Sequence, residues 1–393
     1  MKNFKRTRKN AKRIFSAFLL FSVMLSLLSI RVNASPATEN SLSFDCKSAI
    51  LMEANTGEVL YENSADMALP PASVTKVMTL LLVMEAIESG KINYADKVRA
   101  SKNACSMGGS QIYLEENEEM TIEDLVKSVV IASANDAAVA LAEYVSGTEE
   151  AFVARMNERA AELGMKNTHF ENTNGLDDSV ERHLTSAHDI AIMSRELIKY
   201  PRITEFSSIW MDTIRNGEFG LTNTNRLIRY YKGATGLKTG STSKAGFCIS
   251  ATAERDGMTL ICVIMGAPSR DIRNAAATSL LDWGFSNYGL YRTEGEVISD
   301  IPVEKGTVDM VSGEYSGFSR ILKKDGKKNI EKILEIPNSL SAPIKKGDVI
   351  GKVLYKLDGK DVGQSDILAM QDVEQISFGK MFMIFLKKCA QIM

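Results

Sequence analysis

The segment around Ser73 constrains the fold of this chain more than any other. Lys76 follows three positions later, and the largely apolar residues 77–84 come directly after it. Positions i and i+3 lie on one face of a helix, so a helix that begins near Ser73 places the lysine amine beside the serine hydroxyl. A serine needs such a base to act as a nucleophile, and burial favours the uncharged, proton-accepting amine. Alone, the pattern also fits an ordinary helix start with a solvated lysine.

Two further short motifs follow Ser73 and Lys76 along the chain. Ser133-Ala134-Asn135 comes after the apolar residues 125–131, and Lys238-Thr239-Gly240 precedes a strand-like segment at 246–253. Each motif is common by itself. Together and in this order they match the set shared by active-site serine β-lactamases and penicillin-binding proteins.

The resemblance extends beyond the three motifs and covers nearly everything after the first forty residues. The chain resembles the low-molecular-mass penicillin-binding proteins that act as serine-type D-alanyl-D-alanine carboxypeptidases. The resemblance implies an α/β (α+β) β-lactamase/transpeptidase-like domain with helices packed on an antiparallel sheet. A small all-β domain and a C-terminal amphipathic helix would follow. The segments that carry the resemblance are residues 49–57, 109–114 and 238–242.

The resemblance also implies how the catalytic residues act. Ser73 would attack the carbonyl between the two D-alanines of a peptidoglycan stem peptide, and Lys76 would take its proton. The backbone N–H groups of Ser73 and Ser241 would hold the oxyanion. Ser133 would relay a proton to the departing D-alanine. Lys76 would then serve as the base for hydrolysis, and β-lactam antibiotics would acylate the same serine.

A second set of residues would bind the substrate. Asn135 would hold Lys76 and a substrate amide. Lys238 would depress the pKa of Lys76 and attract the terminal carboxylate, with hydroxyl groups from the same strand as partners. A glycine in that strand leaves room for the peptide along its edge. The predicted substrate-binding residues are Asn135, Lys238, Thr239, Gly240, Ser241 and Thr242.

Some features of the resemblance stay open. Residues 108–110 border the pocket or form a plain surface turn. His183 matches a loop beside the site, although a hydrogen-bonded structural histidine is the favoured interpretation. Some family members carry an arginine where Thr224 stands here. Arg226 or Arg229 could take over its contact with the carboxylate.

The first 34 residues read as an export signal. A basic start precedes the apolar residues 14–30, and Val32-Asn33-Ala34 supplies small residues for cleavage. A retained membrane anchor is the alternative, since the apolar run is near the lower limit for a span. The segment holds eight basic and no acidic residues, so the formal charge of −2 becomes −10 for residues 35–393. An acidic chain is a poor candidate for nucleic-acid binding and fits an exported enzyme at the outer face of the membrane or in the wall space.

The remaining length predicts two domains. The catalytic domain spans 35–290, and a small β domain without a catalytic constellation spans 294–372. Residues 376–393 place apolar side chains on one side of a helical projection, which predicts a helix lying on the membrane surface. Docking of this helix on the protein's own β domain is the alternative.

Turns and caps predict the local structure. Residues 55–57 should turn a hairpin, and Thr121, Thr148 and Ser186 should precede helices. A helix over 271–283 should pack on two strands at 247–253 and 259–265. The predicted strands of the β domain are 297–303, 307–311, 332–336 and 349–356, with a hairpin turn at 357–360.

The chain predicts no metal site and no cofactor. Its five cysteines lack paired metal spacing, and it has three histidines. Cys46, Cys248 and Cys262 lie in apolar, strand-like runs, which favours buried thiols, and one disulfide in an exported chain is the alternative.

Rival functions remain. A β-lactamase would hydrolyse penicillin rapidly, but no glutamate matches a separate deacylation base. A DD-endopeptidase acting on cross-links is barely separable by motif. A non-catalytic penicillin-binding sensor would not need the complete proton relay.

Overall fold

The computed structural model describes residues 42–177, 180–324, 330–383 and 386. The predicted export signal at 1–34 lies outside the described residues. The described residues from Phe44 onwards belong to one compact unit, and the description below concerns that unit alone.

The first part of the unit is built on a five-stranded antiparallel sheet of order β2-β1-β9-β8-β7. Two small two-stranded sheets, β3-β4 and β5-β6, lie outside it. The strands of this part are β1 (Ser48–Glu53), β2 (Val59–Asn63), β3 (Lys97–Arg99), β4 (Glu119–Thr121), β5 (Met211–Ile214), β6 (Phe219–Thr222), β7 (Ala234–Thr242), β8 (Gly246–Arg255) and β9 (Met258–Ala267).

Helices cover this sheet. The 18-residue helix α9 packs on β8 and β9, while α6 contacts β1, β8 and β9 and also packs against α1. The helices are α1 (Lys76–Glu88), α2 (Lys102–Cys105), α3 (Ile122–Lys127), α4 (Asn135–Ser146), α5 (Glu149–Glu162), α6 (Ala187–Leu197), α7 (Pro201–Ser207), α8 (Leu227–Tyr230) and α9 (Arg270–Asn287). Short 3-10 turns occupy Ala72–Thr75 and Arg215–Gly217, and a π-helical turn occupies Ser128–Ala132.

Burial explains why α1 forms where the sequence predicts it. Ten of its 13 residues are buried, so the helix is apolar almost all round and belongs to the core. All six residues of β1 are also buried. Side-chain caps set other helix starts, since Thr121, Thr148 and Ser186 each accept a hydrogen bond from a backbone N–H three residues on.

The second part of the unit is made of strands. Six of them form a sheet of order β14-β16-β17-β12-β11-β15, and β10 pairs with β13. Phe318 stacks on the buried Tyr355 with ring centroids 4.2 Å apart. The strands are β10 (Tyr288–Arg292), β11 (Glu296–Glu304), β12 (Met310–Tyr315), β13 (Ser319–Lys323), β14 (Ile330–Glu335), β15 (Leu340–Ser341), β16 (Val349–Leu357) and β17 (Lys360–Ala369).

Several predicted elements need adjustment. The strand predicted at 307–311 is observed three residues later, as β12 (Met310–Tyr315). The sequence does not predict the strands β10, β13 and β17. The helix after Ser186 ends at Leu197, before Pro201, as the sequence predicts, and Pro201 begins α7, a position where its missing N–H costs nothing. The hairpin at 55–57, the helix at 271–283 and the turn at 357–360 are confirmed.

The C-terminal segment is described only in part. Residues 378–383 are helical, and 384, 385 and 387–393 lie outside the described residues. The predicted amphipathic helix over 376–393 therefore stays a prediction. Apolar side chains that are described here, such as Phe378 and Met383, are exposed. Within the described ranges, no helix has the length and apolar character needed to cross a membrane.

Candidate active site

The nucleophile candidate lies on a tight turn and not inside the long helix. Ser73 belongs to the 3-10 turn Ala72–Thr75, and α1 begins at Lys76. Side chains at i and i+3 eclipse in a 3-10 turn, so the amine stands directly over the hydroxyl. The Lys76 Nζ lies 3.0 Å from the Ser73 Oγ. The predicted serine–lysine pair is therefore in contact.

The surroundings of Lys76 favour the uncharged amine. Its side chain is fully buried, and burial holds its pKa well below the usual value. The positive charge of Lys238 acts in the same direction, while the Asp136 carboxylate opposes it. The amine donates to the Asn135 Oδ1 at 2.5 Å and to the Asn174 carbonyl at 2.7 Å. These two bonds use both hydrogens of a neutral amine, which leaves its lone pair for the Ser73 hydroxyl.

A second serine–lysine pair faces the first. Ser133 follows the π-helical turn and has a left-handed backbone with φ of 64°. This conformation is uncommon outside glycine, and π turns occur frequently at functional sites. The Lys238 Nζ donates to the Ser133 Oγ at 2.8 Å and to the Thr239 carbonyl at 2.9 Å. Burial first, and Arg273 second, lower the pKa of Lys238 to about 7.

Gly240 lets β7 approach the nucleophile turn. A Cβ at this position would lie 2.8 Å from both the Pro71 carbonyl oxygen and the Ser73 nitrogen. Real Cβ atoms essentially never come that close to backbone atoms. Only glycine therefore fits between the strand and the turn without moving one of them.

Buried polar groups fix the nucleophile turn from behind. The Glu171 N–H donates to the His183 Nδ1, so the other ring nitrogen carries the proton and donates to the Thr75 Oγ1 at 2.7 Å. The Thr75 hydroxyl in turn donates to the Ala72 carbonyl. Burial lowers the pKa of His183 to about 4, which keeps the ring neutral. The structure thus gives His183 a structural position.

The segment 172–177 contacts both the nucleophile turn and the end of β7. Its Asn174 carbonyl binds Lys76, and a Cβ at Gly175 would collide with the Ala72 carbonyl. Its Asp177 carboxylate accepts a 2.5 Å hydrogen bond from the Thr242 hydroxyl at the end of β7. The Thr242 hydroxyl thus already has a partner in Asp177, and its predicted contact with the substrate carboxylate stays a prediction.

A cavity of about 570 Å³ opens at the serines. It contains most of the predicted site residues, while the buried Lys76, Lys238 and Asn135 lie behind them. Predicted residues on its lining are Ser73, Ser133, Thr239, Gly240 and Ser241. Ser110 and Thr224 also line it, and the Thr239 hydroxyl donates to the Thr224 Oγ1 at 2.8 Å.

Arginines supply the charge of this cavity. Arg226, one of the two predicted candidates, lines it together with Arg270 and Arg273. The other candidate, Arg229, packs over the rings of Trp210 and Tyr230. Sequence reasoning missed Arg270 and Arg273 because they lie on α9, outside every motif. No grouping of three potential metal-ligating His, Cys, Asp or Glu side chains occurs within the described ranges.

The fold and the paired serine–lysine contacts define a serine hydrolase of the penicillin-binding class. Family comparison agrees: residues 34–269 match the D-alanyl-D-alanine carboxypeptidase model, and residues 285–375 match the model of the penicillin-binding protein 5 C-terminal domain. The chain belongs to the D-alanyl-D-alanine carboxypeptidase family.

Individual relatives cover most of the chain. It is 42% identical over 376 residues to D-alanyl-D-alanine carboxypeptidase DacF of Bacillus subtilis, covering 93% of this chain and 96% of the relative. Penicillin-binding protein 5 from Haemophilus influenzae aligns with a TM-score of 0.73 and 33% identity, over 85% and 99% of the two chains. Penicillin-binding protein D2 from Listeria monocytogenes, in an ampicillin-bound form, aligns with a TM-score of 0.57 and 31% identity, over 62% and 99%.

Proposed function

We propose that this chain removes the terminal D-alanine from peptidoglycan stem peptides through an acyl-enzyme on Ser73. The observation that carries the proposal is the Lys76 amine, which is buried, held by two acceptors and 3.0 Å from the Ser73 hydroxyl. An amine so placed can take the serine proton at neutral pH, which a solvated lysine cannot.

Acylation follows from this arrangement. The Ser73 Oγ attacks the carbonyl between the two D-alanines while its proton passes to the Lys76 Nζ. The negative charge on the carbonyl oxygen would be held by the backbone N–H groups of Ser73 and Ser241. Gly240 supports this assignment, because its missing side chain lets β7 lie against the nucleophile turn.

The departing D-alanine needs a proton on its nitrogen. Ser133 is suited to deliver one, since its hydroxyl accepts from Lys238 and lines the same cavity as Ser73. The terminal carboxylate would bind beside Lys238 and the Thr239 hydroxyl, with Arg273 adding positive charge. Lys76 would finally activate the water that hydrolyses the acyl-enzyme, because no glutamate is among the described residues that line the cavity.

The pH dependence tests the role of Lys238. Its pKa of about 7 means that its positive charge is lost as the pH rises above that value. The pH dependence of kcat/KM reports the pKa values of the free enzyme. We therefore expect kcat/KM for a D-Ala-D-Ala peptide to fall above about pH 7, chiefly through a higher KM. A Lys238→Arg variant keeps its charge, so its KM should stay flat between pH 7 and 9. A wild-type KM that is flat over this range would contradict the assignment.

β-Lactams should acylate Ser73 as substrate analogues. The ampicillin-bound form of the Listeria relative supports this proposal.

The proposed function also includes export, cleavage after Ala34 and action in the wall space, and the basic and apolar start of the chain supports them. The exposed Phe378, Phe382 and Met383 support contact of the C-terminal segment with a membrane surface. The domain limits 35–290 and 294–372 are also proposed. They are supported by the change from a mixture of helices and strands to strands after Asn287.

One assay tests the function as a whole. The chain from Ser35 is incubated with a peptide ending in Lys-D-Ala-D-Ala, and a parallel sample receives penicillin before mass spectrometry. We expect D-alanine release and a long-lived penicilloyl group on Ser73. Rapid penicillin hydrolysis without D-alanine release would instead identify a β-lactamase. A stable adduct without release would point to a sensor or to an endopeptidase.

A further inference from the structure

The cavity is one-sided with respect to the reacting serine. It extends from Ser73 past Ser133 and Thr239 towards Trp210 and Tyr230. Thr242, at the end of β7, does not line it, and the buried Asn135 lies behind the lining. If Ser133 protonates the leaving nitrogen, the open volume lies on the side of the leaving group. About 570 Å³ falls in the range of pockets that hold drug-sized ligands and is far more than one alanine needs.

The charge in this cavity exceeds the need of one carboxylate. Three guanidinium groups line it, and none of the described lining residues is acidic. Arg273 is buried, with 2% of its surface exposed. Burial is the largest cause that lowers its pKa, and the positive charges of Arg270 and Arg226 lower it further. Asp271 is the acidic group that acts on Arg273 in the opposite direction. Positive charges are thus held close together although the chain is acidic outside its first 34 residues.

The arginines lie at two depths. Arg273 is fixed inside, where its guanidinium donates to the Asn274 side chain and the Cys248 carbonyl. Arg226 and Arg270 are exposed, and within the described parts of the chain neither side chain has a hydrogen bond or an ion pair. Trp210 and Tyr230 line the cavity near them. In the proposed function the buried Lys238 and Arg273 bind the one carboxylate of the cleaved residue, which leaves the outer pair available.

We propose that Arg226 and Arg270 form a second anion subsite for leaving groups that carry a carboxylate beyond the one on the cleaved residue. The inference rests on the proposed function, because it uses the same acyl transfer. The leaving group would be an acidic D-amino acid or a peptide that bears further carboxylates. Guanidinium groups suit this task because they remain charged and bind carboxylates through two parallel hydrogen bonds.

The chemical step is unchanged by the larger leaving group. The Ser73 oxygen forms an ester with the penultimate D-alanine as the C–N bond breaks, and the leaving nitrogen gains the proton. Water then cleaves the ester and regenerates the hydroxyl. The second subsite only adds binding energy on the leaving side.

Three peptides of the form diacetyl-Lys-D-Ala-X test the proposal, with X as D-Ala, D-Glu or the neutral isostere D-Gln. Release of X is measured by mass spectrometry at low and high salt. We expect kcat/KM for D-Glu to exceed that for D-Gln at least fivefold at low salt, with a smaller ratio at high salt. In an Arg226→Gln/Arg270→Gln variant the ratio should fall to within twofold of unity. Both residues are exposed, and penicillin labelling of Ser73 checks that the variant is folded.

Arg155→Gln is the matched control, because Arg155 is a surface arginine with ion pairs on α5. It should keep the wild-type ratio. Release of D-Ala with a D-Glu to D-Gln ratio near one would overturn the subsite and leave the carboxypeptidase proposal intact. A high ratio that survives in the double variant would overturn the assignment to these arginines. Absence of release from all three peptides would overturn both proposals.

Discussion

A Ser73→Ala variant is expected to lose D-alanine release and penicillin acylation together while keeping its fold. Among the described serines that line the cavity, Ser73 is the one whose hydroxyl is hydrogen-bonded to the buried Lys76 amine. Loss of a nucleophile that works with its base lowers the rate on the order of 10⁴-fold or more. The substitution should change the free energy of unfolding little, because the contact it removes is one hydrogen bond, that between the Ser73 hydroxyl and Lys76.

Mass spectrometry after incubation with penicillin, combined with thermal unfolding, checks this result. Ser106→Ala is a suitable control because its hydroxyl bonds to the nearby Asn103 carbonyl and lies outside the site. The control should be acylated at the wild-type rate. A penicilloyl group found on another serine of the Ser73→Ala variant would refute the assignment of the nucleophile.

A Lys76→Met variant is expected to slow acylation by about 10²- to 10⁴-fold, the usual contribution of a positioned general base. Methionine has a similar length but cannot accept the Ser73 proton. In the wild type, the rate should fall as the pH drops through the pKa of Lys76, because protonation removes the base. Since burial and Lys238 hold that pKa well below its usual value, the acid limb should lie far below that of a free lysine. The variant should lack this limb.

Stopped-flow acylation with a fluorescent penicillin across pH measures both effects. Lys91→Met provides a matched control, because the Lys91 amine also donates to a backbone carbonyl, that of Val145, outside the active site. It should show wild-type acylation and the wild-type pH profile. Acylation of Lys76→Met within threefold of the wild type would contradict the role of Lys76 as the base.

Local signals in the sequence predicted the catalytic half of the fold well. The apolar block after Lys76 became a buried helix, and hydroxyl caps marked helix starts at Thr121, Thr148 and Ser186. Strands of the second part were harder to predict because several of them bury few or no residues, so burial leaves little mark on their sequences. β17, for example, is largely exposed at its first seven positions, so its apolar pattern is weak until Ile367.

The active site divides in a similar way. Ser73, Lys76, Ser133 and Lys238 could be predicted from short motifs, and the structure brings them together as two hydrogen-bonded pairs. The Asn174 carbonyl and Arg273 could not be predicted from spacing. A backbone acceptor leaves no mark in a side-chain pattern, and an arginine on a distant helix reaches the cavity only through the packing of α9 on the sheet.

The close approach of Gly240 to the nucleophile turn has a consequence for drug resistance. Any side chain at this position would push β7 away from the turn, and the protein would lose its own reaction along with its sensitivity to β-lactams. Substitutions that exclude an antibiotic while sparing the substrate are therefore barred at residue 240. We expect escape from inhibition to arise at the exposed rim of the cavity, around Tyr230, where a change in shape leaves the backbone of the strand in place.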